Sequence, residues 1–215
     1  MAKPLIETTA RRAILRRVGQ AVLQAAHDDG VTLVAVDGVD GAGKTTFADE
    51  LIPFLRPRTV IRASVDSFHR PQAERYARGR GSPEGFYRDS YDYATLSRLL
   101  LEPLRSGEQF RRAVFDVGAD QPIDAPLETA PPGSILLFDG IFLHRPELRN
   151  HWDFSIYLDV PWEKNHHLPG HPEWDRLRYS EGQAMYLREC RPEQLADVVI
   201  DNSDLREPRL VRSPS

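Results

Sequence analysis

A glycine-rich turn set between an apolar strand and a helix constrains this chain more than any other feature. Residues 33–51 read LVAVDGVDGAGKTTFADEL. Within them, Gly38-Val39-Asp40-Gly41-Ala42-Gly43-Lys44-Thr45 satisfies G-x-x-x-x-G-K-[ST], the Walker A pattern. Its glycines let backbone N–H groups approach phosphate oxygens with no Cβ in the way. Lys44 carries positive charge to the β- and γ-phosphates, and the Thr45 hydroxyl is a Mg²⁺ ligand in this pattern. The helix starting near Gly43 turns its positive end toward the same anion. Gly38, Asp40, Gly41, Ala42, Gly43, Lys44, Thr45 and Thr46 are therefore the predicted nucleotide-binding residues.

The flanks have the order such a loop requires. Val31–Val36 is β-branched and apolar, as a buried parallel strand is. Phe47, Leu51 and Leu55 recur at helical spacing over 45–55. Further along, helices are predicted at 8–27, 93–107 and 179–190, and strands at 59–66, 111–118, 134–140, 154–160 and 196–202. The polar, aromatic stretch 70–93 reads as a long loop, and 161–178 as irregular. Alternating strands and helices predict an α/β three-layer sandwich, a mostly parallel sheet with helices on both faces. Ligands then bind at the carboxyl ends of the strands. One domain over 1–215 is expected, with an N-terminal helix in 1–30 and a lid-like segment at 161–178.

Three predicted strands end in acids facing that loop. Asp139 closes ILLFDG, an apolar run that suits a rigid carboxylate aimed at Mg²⁺ from behind its direct ligands or at a catalytic water, with an Asp-Gly turn as the other reading. Asp66, in SVDSFHRP, suits a base on an acceptor hydroxyl and equally suits a cap on the next turn. Asp116, in AVFDVGAD, reads as readily as a turn acid.

The formal net charge is −4, which makes no general electrostatic case for nucleic acid. A lone cysteine, Cys190, rules out an internal disulfide and suits a reducing compartment. No signal-peptide pattern opens the sequence and no apolar run is long enough to span a membrane, so a cytoplasmic protein is expected. A guanine-recognising N-K-x-D pattern and a transporter-type LSGGQ signature are both missing from the sequence.

DGVDGAGKTT, SVDSFHRP, SPEGFYRDSYDYATL, VFD, ILLFDGIFL and WDFSIYLDV, in this order, resemble the uridine kinase and phosphoribulokinase-like P-loop kinases over roughly residues 30–205. The resemblance implies a five-stranded parallel sheet and a short lid. It also implies transfer of the γ-phosphate of ATP, with Mg²⁺, to a hydroxyl of a small metabolite. By that match Asp66 is the base, Lys44 and Thr45 are the phosphate and Mg²⁺ ligands, Asp139 is the acid of the Walker B strand, and the loop with Asn202 is similar to the one lying near adenine. A nucleoside such as uridine or cytidine is the expected acceptor. Phe68, Phe86, Tyr87, Tyr91, Phe115 and Asp116 are proposed as its pocket, though Tyr91 reads better as core. A pantothenate- or nicotinamide riboside-type alcohol, or a non-catalytic ATP-binding regulator, is the alternative. The family's lid arginines have no counterpart from Trp162 to Asp175; Arg176 and Arg178 are either those arginines displaced or a solvated helix face. His166, His167 and His171 read as a solvated loop rather than a metal site. Arg70, Arg75, Arg78, Arg80 and Arg88 form a basic run that is either a phosphate contact or a solvated loop.

Overall fold

The computed structural model describes residues 8–161 and 173–213. Its elements are α1 (Thr9–Ala25), β1 (Thr32–Gly38), α2 (Lys44–Leu51), β2 (Val60–Ser64), α3 (Gln72–Arg75), α4 (Pro83–Asp89), α5 (Tyr93–Leu96), α6 (Glu102–Ser106), β3 (Phe115–Asp116), β4 (Gln121–Pro122), β5 (Ile135–Gly140), β6 (Phe154–Asp159), α7 (Glu173–Cys190), α8 (Pro192–Leu195), β7 (Val198–Asp201) and β8 (Arg209–Arg212). The central sheet runs β2-β5-β1-β6-β7-β8. The first five strands are parallel and β8 is antiparallel to β7.

Side chains alternate across a strand, so each strand feeds two cores. Leu33 and Ala35 of β1 join Leu136 and Phe138 of β5 on one face. Val34 and Val36 join Ile135 and Leu137 on the other. The second face is covered by α1 and α2 through Leu15, Val18, Val22, Phe47 and Leu51. The first is covered by Phe86 and Tyr87 of α4, Leu96 of α5 and Tyr186 of α7. Each such side chain contributes on the order of 1.5–3 kcal/mol by leaving water. Gly182 lets α7 come close to α4, because a Cβ there would sit 2.7 Å from Phe86 Cδ1 and 2.9 Å from Pro83 O.

Four expectations are corrected. The sheet has six strands rather than five: RLVR at 209–212 is a half-exposed edge with no apolar run to announce it. The predicted strand 111–118 shrinks to a two-residue ladder, β3 with β4, outside the central sheet. The stretch 70–93 is not loop, since it contains α3 and α4. Ser82 caps α4 by accepting from Gly85 N at 3.0 Å, with Pro83 in the first turn, a start signal hidden inside a polar stretch. Finally, α7 begins at Glu173, so Arg176 and Arg178 stand on a helix. Residues 162–172, with His166, His167, His171 and most of the lid-like segment, lie outside the described residues. Among the described residues, no helix is long and apolar enough to cross a membrane.

Candidate active site

Register explains why distant acids meet. Asp139 pairs with Val36 of β1 on one side and with Ser64 of β2 on the other. The glycine-rich loop continues β1, and Asp66 lies two residues past Ser64. Three parallel strands thus end at one cleft of about 200 Å³. Asp40, Gly41, Gly43, Lys44, Thr45 and Thr46 form one wall; Asp66, Tyr91 and Asp139 come from the other elements. A larger groove, about 480 Å³ between α1 and α2, shares none of these residues.

The loop closes through two left-handed glycines, Gly41 (φ 74°) and Gly43 (φ 82°), and Gly43 caps α2. A side chain at either would be strained. Lys44 Nζ rests on the Val39 carbonyl at 2.9 Å. Gly38 and Ala42 lie behind the cleft: a Cβ on Gly38 would meet Leu158 O at 2.8 Å, and Ala42 is fully buried. The Asp40 carboxyl is accessible at the mouth yet crowded by protein on most sides. That desolvation raises it above the ordinary aspartate range; Lys44 opposes the shift and Asp66 adds to it.

Thr45 Oγ1 donates to Asp139 Oδ2 at 2.6 Å. The other oxygen, Oδ1, accepts from Arg62 Nη2 at 2.8 Å. A hydroxyl and a carboxylate at the end of a rigid strand are hard oxygen donors, which fits Mg²⁺. Arg62 was not foreseen, although an arginine inside VIRAS was the available signal.

Asp66 is the second residue of a 3₁₀ turn, Val65–Phe68, whose cap is Ser64: its Oγ accepts from Asp66 N at 3.4 Å. The Asp66 carboxylate is exposed to the cleft, where Oδ1 accepts from Tyr91 OH at 3.3 Å. The His69 ring packs on Tyr91 with centroids 4.4 Å apart. Burial pushes His69 below its usual value, against the hydrogen bond to the Asp66 carbonyl and the Asp66 charge.

The remaining predicted site residues lie elsewhere. Phe68, Phe86, Tyr87 and Phe115 are core, none more than 6% exposed. Phe68, Phe86 and Tyr87 cover one face of the central sheet and Phe115 is buried in the β3–β4 ladder, and none of the four lines the cleft. Tyr91, read as core, is buried and also lines the cleft. Asp116 is exposed and accepts from Gly118 N and Ala119 N, the work of a turn acid. Arg176 is exposed. Arg178 is 2% exposed and donates to the carbonyls of Arg80, Ser82 and Arg75, with its guanidinium 4.7 Å from the Tyr76 ring centroid. It clamps the α3–α4 connection. Asn202 is 1% exposed and bonded to Ala42 O and Arg11, behind the loop rather than open to a nucleotide. The basic run is largely paired: Arg70 with Glu74, Arg75 with Asp120, Arg78 with Asp89, Arg88 with Glu84.

No protein-family model matches the chain. It is 30% identical over 129 residues to an inorganic pyrophosphatase, TTM2, of Arabidopsis thaliana, covering 60% of the chain and 18% of that protein. It is 27% identical over 133 residues to a uridine kinase of Brevibacillus brevis, covering 60% and 59%. A uridine kinase of Deinococcus deserti matches at 26% over 191 residues, 83% of the chain and 91% of the relative. The chain thus spans less than two thirds of the first two relatives. Among solved structures, a possible uridine kinase from Bacillus stearothermophilus superposes with a TM-score of 0.74 at 26% identity, covering 88% of this chain and 98% of that one. Phosphoribulokinase from Rhodobacter spheroides, 16% identical with a TM-score of 0.54 over 89% of this chain and 77% of its own, shares the fold. With the glycine-rich loop, the strand-end acids and the sheet order described above, these likenesses support the uridine kinase and phosphoribulokinase-like family of P-loop kinases as the one this chain is similar to.

Proposed function

We propose that the protein is an ATP-dependent phosphotransferase that moves the γ-phosphate to an alcohol of a small metabolite. The observation that carries this reading is one polar cleft lined by Lys44, Thr45, Asp139 and Asp66. The loop amides and Lys44 hold the triphosphate, and Thr45 with Asp139 would hold Mg²⁺. The metal, when bound, neutralises charge on the β- and γ-phosphate oxygens. Asp66 accepts the proton of the acceptor hydroxyl as its oxygen bonds to the γ-phosphorus. The bond between that phosphorus and the β-γ bridging oxygen breaks, and ADP leaves.

For the acceptor we propose a nucleoside, with the 5′-hydroxyl of uridine or cytidine first. Uridine kinases among the relatives support it. A second reading, another small polar alcohol, draws support from the burial of Phe68, Phe86, Tyr87 and Phe115 in the core, away from any stacking wall. Incubation with Mg-ATP and a panel of nucleosides, sugars and vitamin alcohols, followed by ADP release and mass spectrometry, tests both. A uridine or cytidine 5′-monophosphate supports the first. A different phosphorylated alcohol with nucleosides untouched supports the second, and no acceptor-dependent ADP release overturns phosphotransfer.

A further inference from the structure

We infer that Asn202 and Gln183, two side chains outside the glycine-rich loop, are positioning residues that aim its peptide groups and its lysine at the phosphates. The inference rests on the phosphate-binding reading of the cleft.

A trans peptide points its C=O and its N–H in opposite directions. Asn202 donates Nδ2 to the Ala42 carbonyl at 2.7 Å from behind the loop. That holds the carbonyl away from the cleft and turns the N–H of the same peptide, which belongs to Gly43, toward it. Gly43 lines the cleft, whereas Ala42 is fully buried. The Asn202 amide is itself fixed: Oδ1 accepts from Arg11 Nη1 at 3.1 Å. Arg11 is completely buried and also donates to Leu205 O at 3.0 Å. With a cation on Oδ1, the NH₂ end of the amide is the one presented to Ala42.

Gln183 of α7 acts on a second peptide. Its Oε1 accepts from Asp40 N at 2.6 Å. Its Nε2 donates to Tyr179 O at 3.0 Å, one turn earlier, which fixes the amide. The other end of the Val39–Asp40 peptide faces away from Gln183 and accepts from Lys44 Nζ at 2.9 Å and from Ala42 N at 3.1 Å. Gln183 thus steadies the carbonyl on which Lys44 rests. An ammonium has three donors, so two remain for phosphate oxygens. Loop glycines alone do not select these peptide orientations, because glycine tolerates many.

Calorimetric titration of inorganic tripolyphosphate and of ATP into wild type, Asn202→Asp and Gln183→Leu tests the inference. Asn202→Asp keeps an acceptor for Arg11, removes the donor to Ala42 and sets a carboxylate against its carbonyl. Both variants should bind both ligands about 10- to 100-fold more weakly, with stoichiometry still near one. A merely structural role predicts the opposite pattern, a fall in binding-competent fraction with affinity unchanged. That pattern, or wild-type affinity in both variants, overturns the inference alone. A wild-type protein that binds neither ligand overturns the phosphate reading, and the inference with it.

Discussion

Thr45 Oγ1 donates to Asp139 Oδ2 at 2.6 Å, across 94 residues of sequence. The contact joins the first turn of the loop helix to the end of the neighbouring strand. It forms because β1 and β5 pair in parallel register with Val36 opposite Asp139. On the proposed reading of the cleft, a hydroxyl and a carboxylate that hold one another in this way would need little reorganisation to take up a metal.

Lys44 is the cation of the cleft wall that the loop itself supplies. Lys44→Ala removes a charge-assisted donor, each worth about 1.5–3 kcal/mol, from a multiply charged ligand. ATP binding by calorimetry should weaken at least about 10-fold and turnover should be lost. Equal affinity and turnover in the two proteins would sink the loop's assigned role.

Asp66→Asn preserves shape and removes the proton acceptor. Loss of a general base costs roughly 10²–10⁴ in rate. Single-turnover rates should fall in that range while the ATP dissociation constant stays within about threefold. Wild-type rates would make Asp66 a turn residue with no part in proton transfer.

Arg11 and Glu50 form an ion pair with side chains 0% and 5% exposed. Glu50→Leu strips the buried guanidinium of its carboxylate and should cost about 3–5 kcal/mol in urea unfolding. Adding Arg11→Met should recover only part of that loss, because the apolar pair removes the uncompensated charge but leaves Asn202 Oδ1 and the Leu205 carbonyl without their donor. A double variant no more stable than Glu50→Leu would show that Arg11's bonds to Asn202 and Leu205 outweigh the relief of the buried charge.

Asp40 supplies the pH dependence. Its folded-state value is raised, first by desolvation and then by Asp66, against the pull of Lys44. Above its unfolded value of 3.8 the folded chain holds more proton at this site than the unfolded one. Stability contributed by the site therefore falls as pH rises through the raised value. Asp40→Asn should unfold at higher urea than wild type at pH 7, with the gain shrinking toward pH 4. A constant difference at all pH values would remove Asp40 from that role.

How much of the site is legible in the sequence depends on how local each part is. The glycine-rich loop is contiguous, eight successive residues, so the arrival of Gly41, Gly43, Lys44 and Thr45 at one cleft follows from where they stand. Asp139 and Asp66 are readable for a topological reason, since parallel strands must deliver their last residues to the same edge. The aromatics of 68–87 mislead. In a polar stretch they look like a pocket wall, but the sheet face of Leu33, Ala35, Leu136 and Phe138 has to be covered, and Phe68, Phe86 and Tyr87 cover it. Arg178 misleads for a similar reason: its positive charge suits a phosphate, yet backbone carbonyls of the α3–α4 connection engage it first.

The sequence by itself determined the strand-loop-helix unit, the alternation that makes a parallel sheet, and the acids at the strand ends, because each follows from local periodicity and short-range stereochemistry. Only the tertiary structure decided which side chains stand behind the loop. Asn202 reaches Ala42 across 160 residues and Gln183 reaches Asp40 across 143. Such bonds form when α7 and the turn after β7 come up against the glycine-rich loop, with β6 standing between β7 and β1, and no spacing rule records which amide will meet which peptide. The same packing sent Tyr91 to the cleft beside Asp66 and its aromatic neighbours to the core. Both outcomes depend on which face of each short helix meets the sheet, and that face is chosen by the whole set of buried contacts at once.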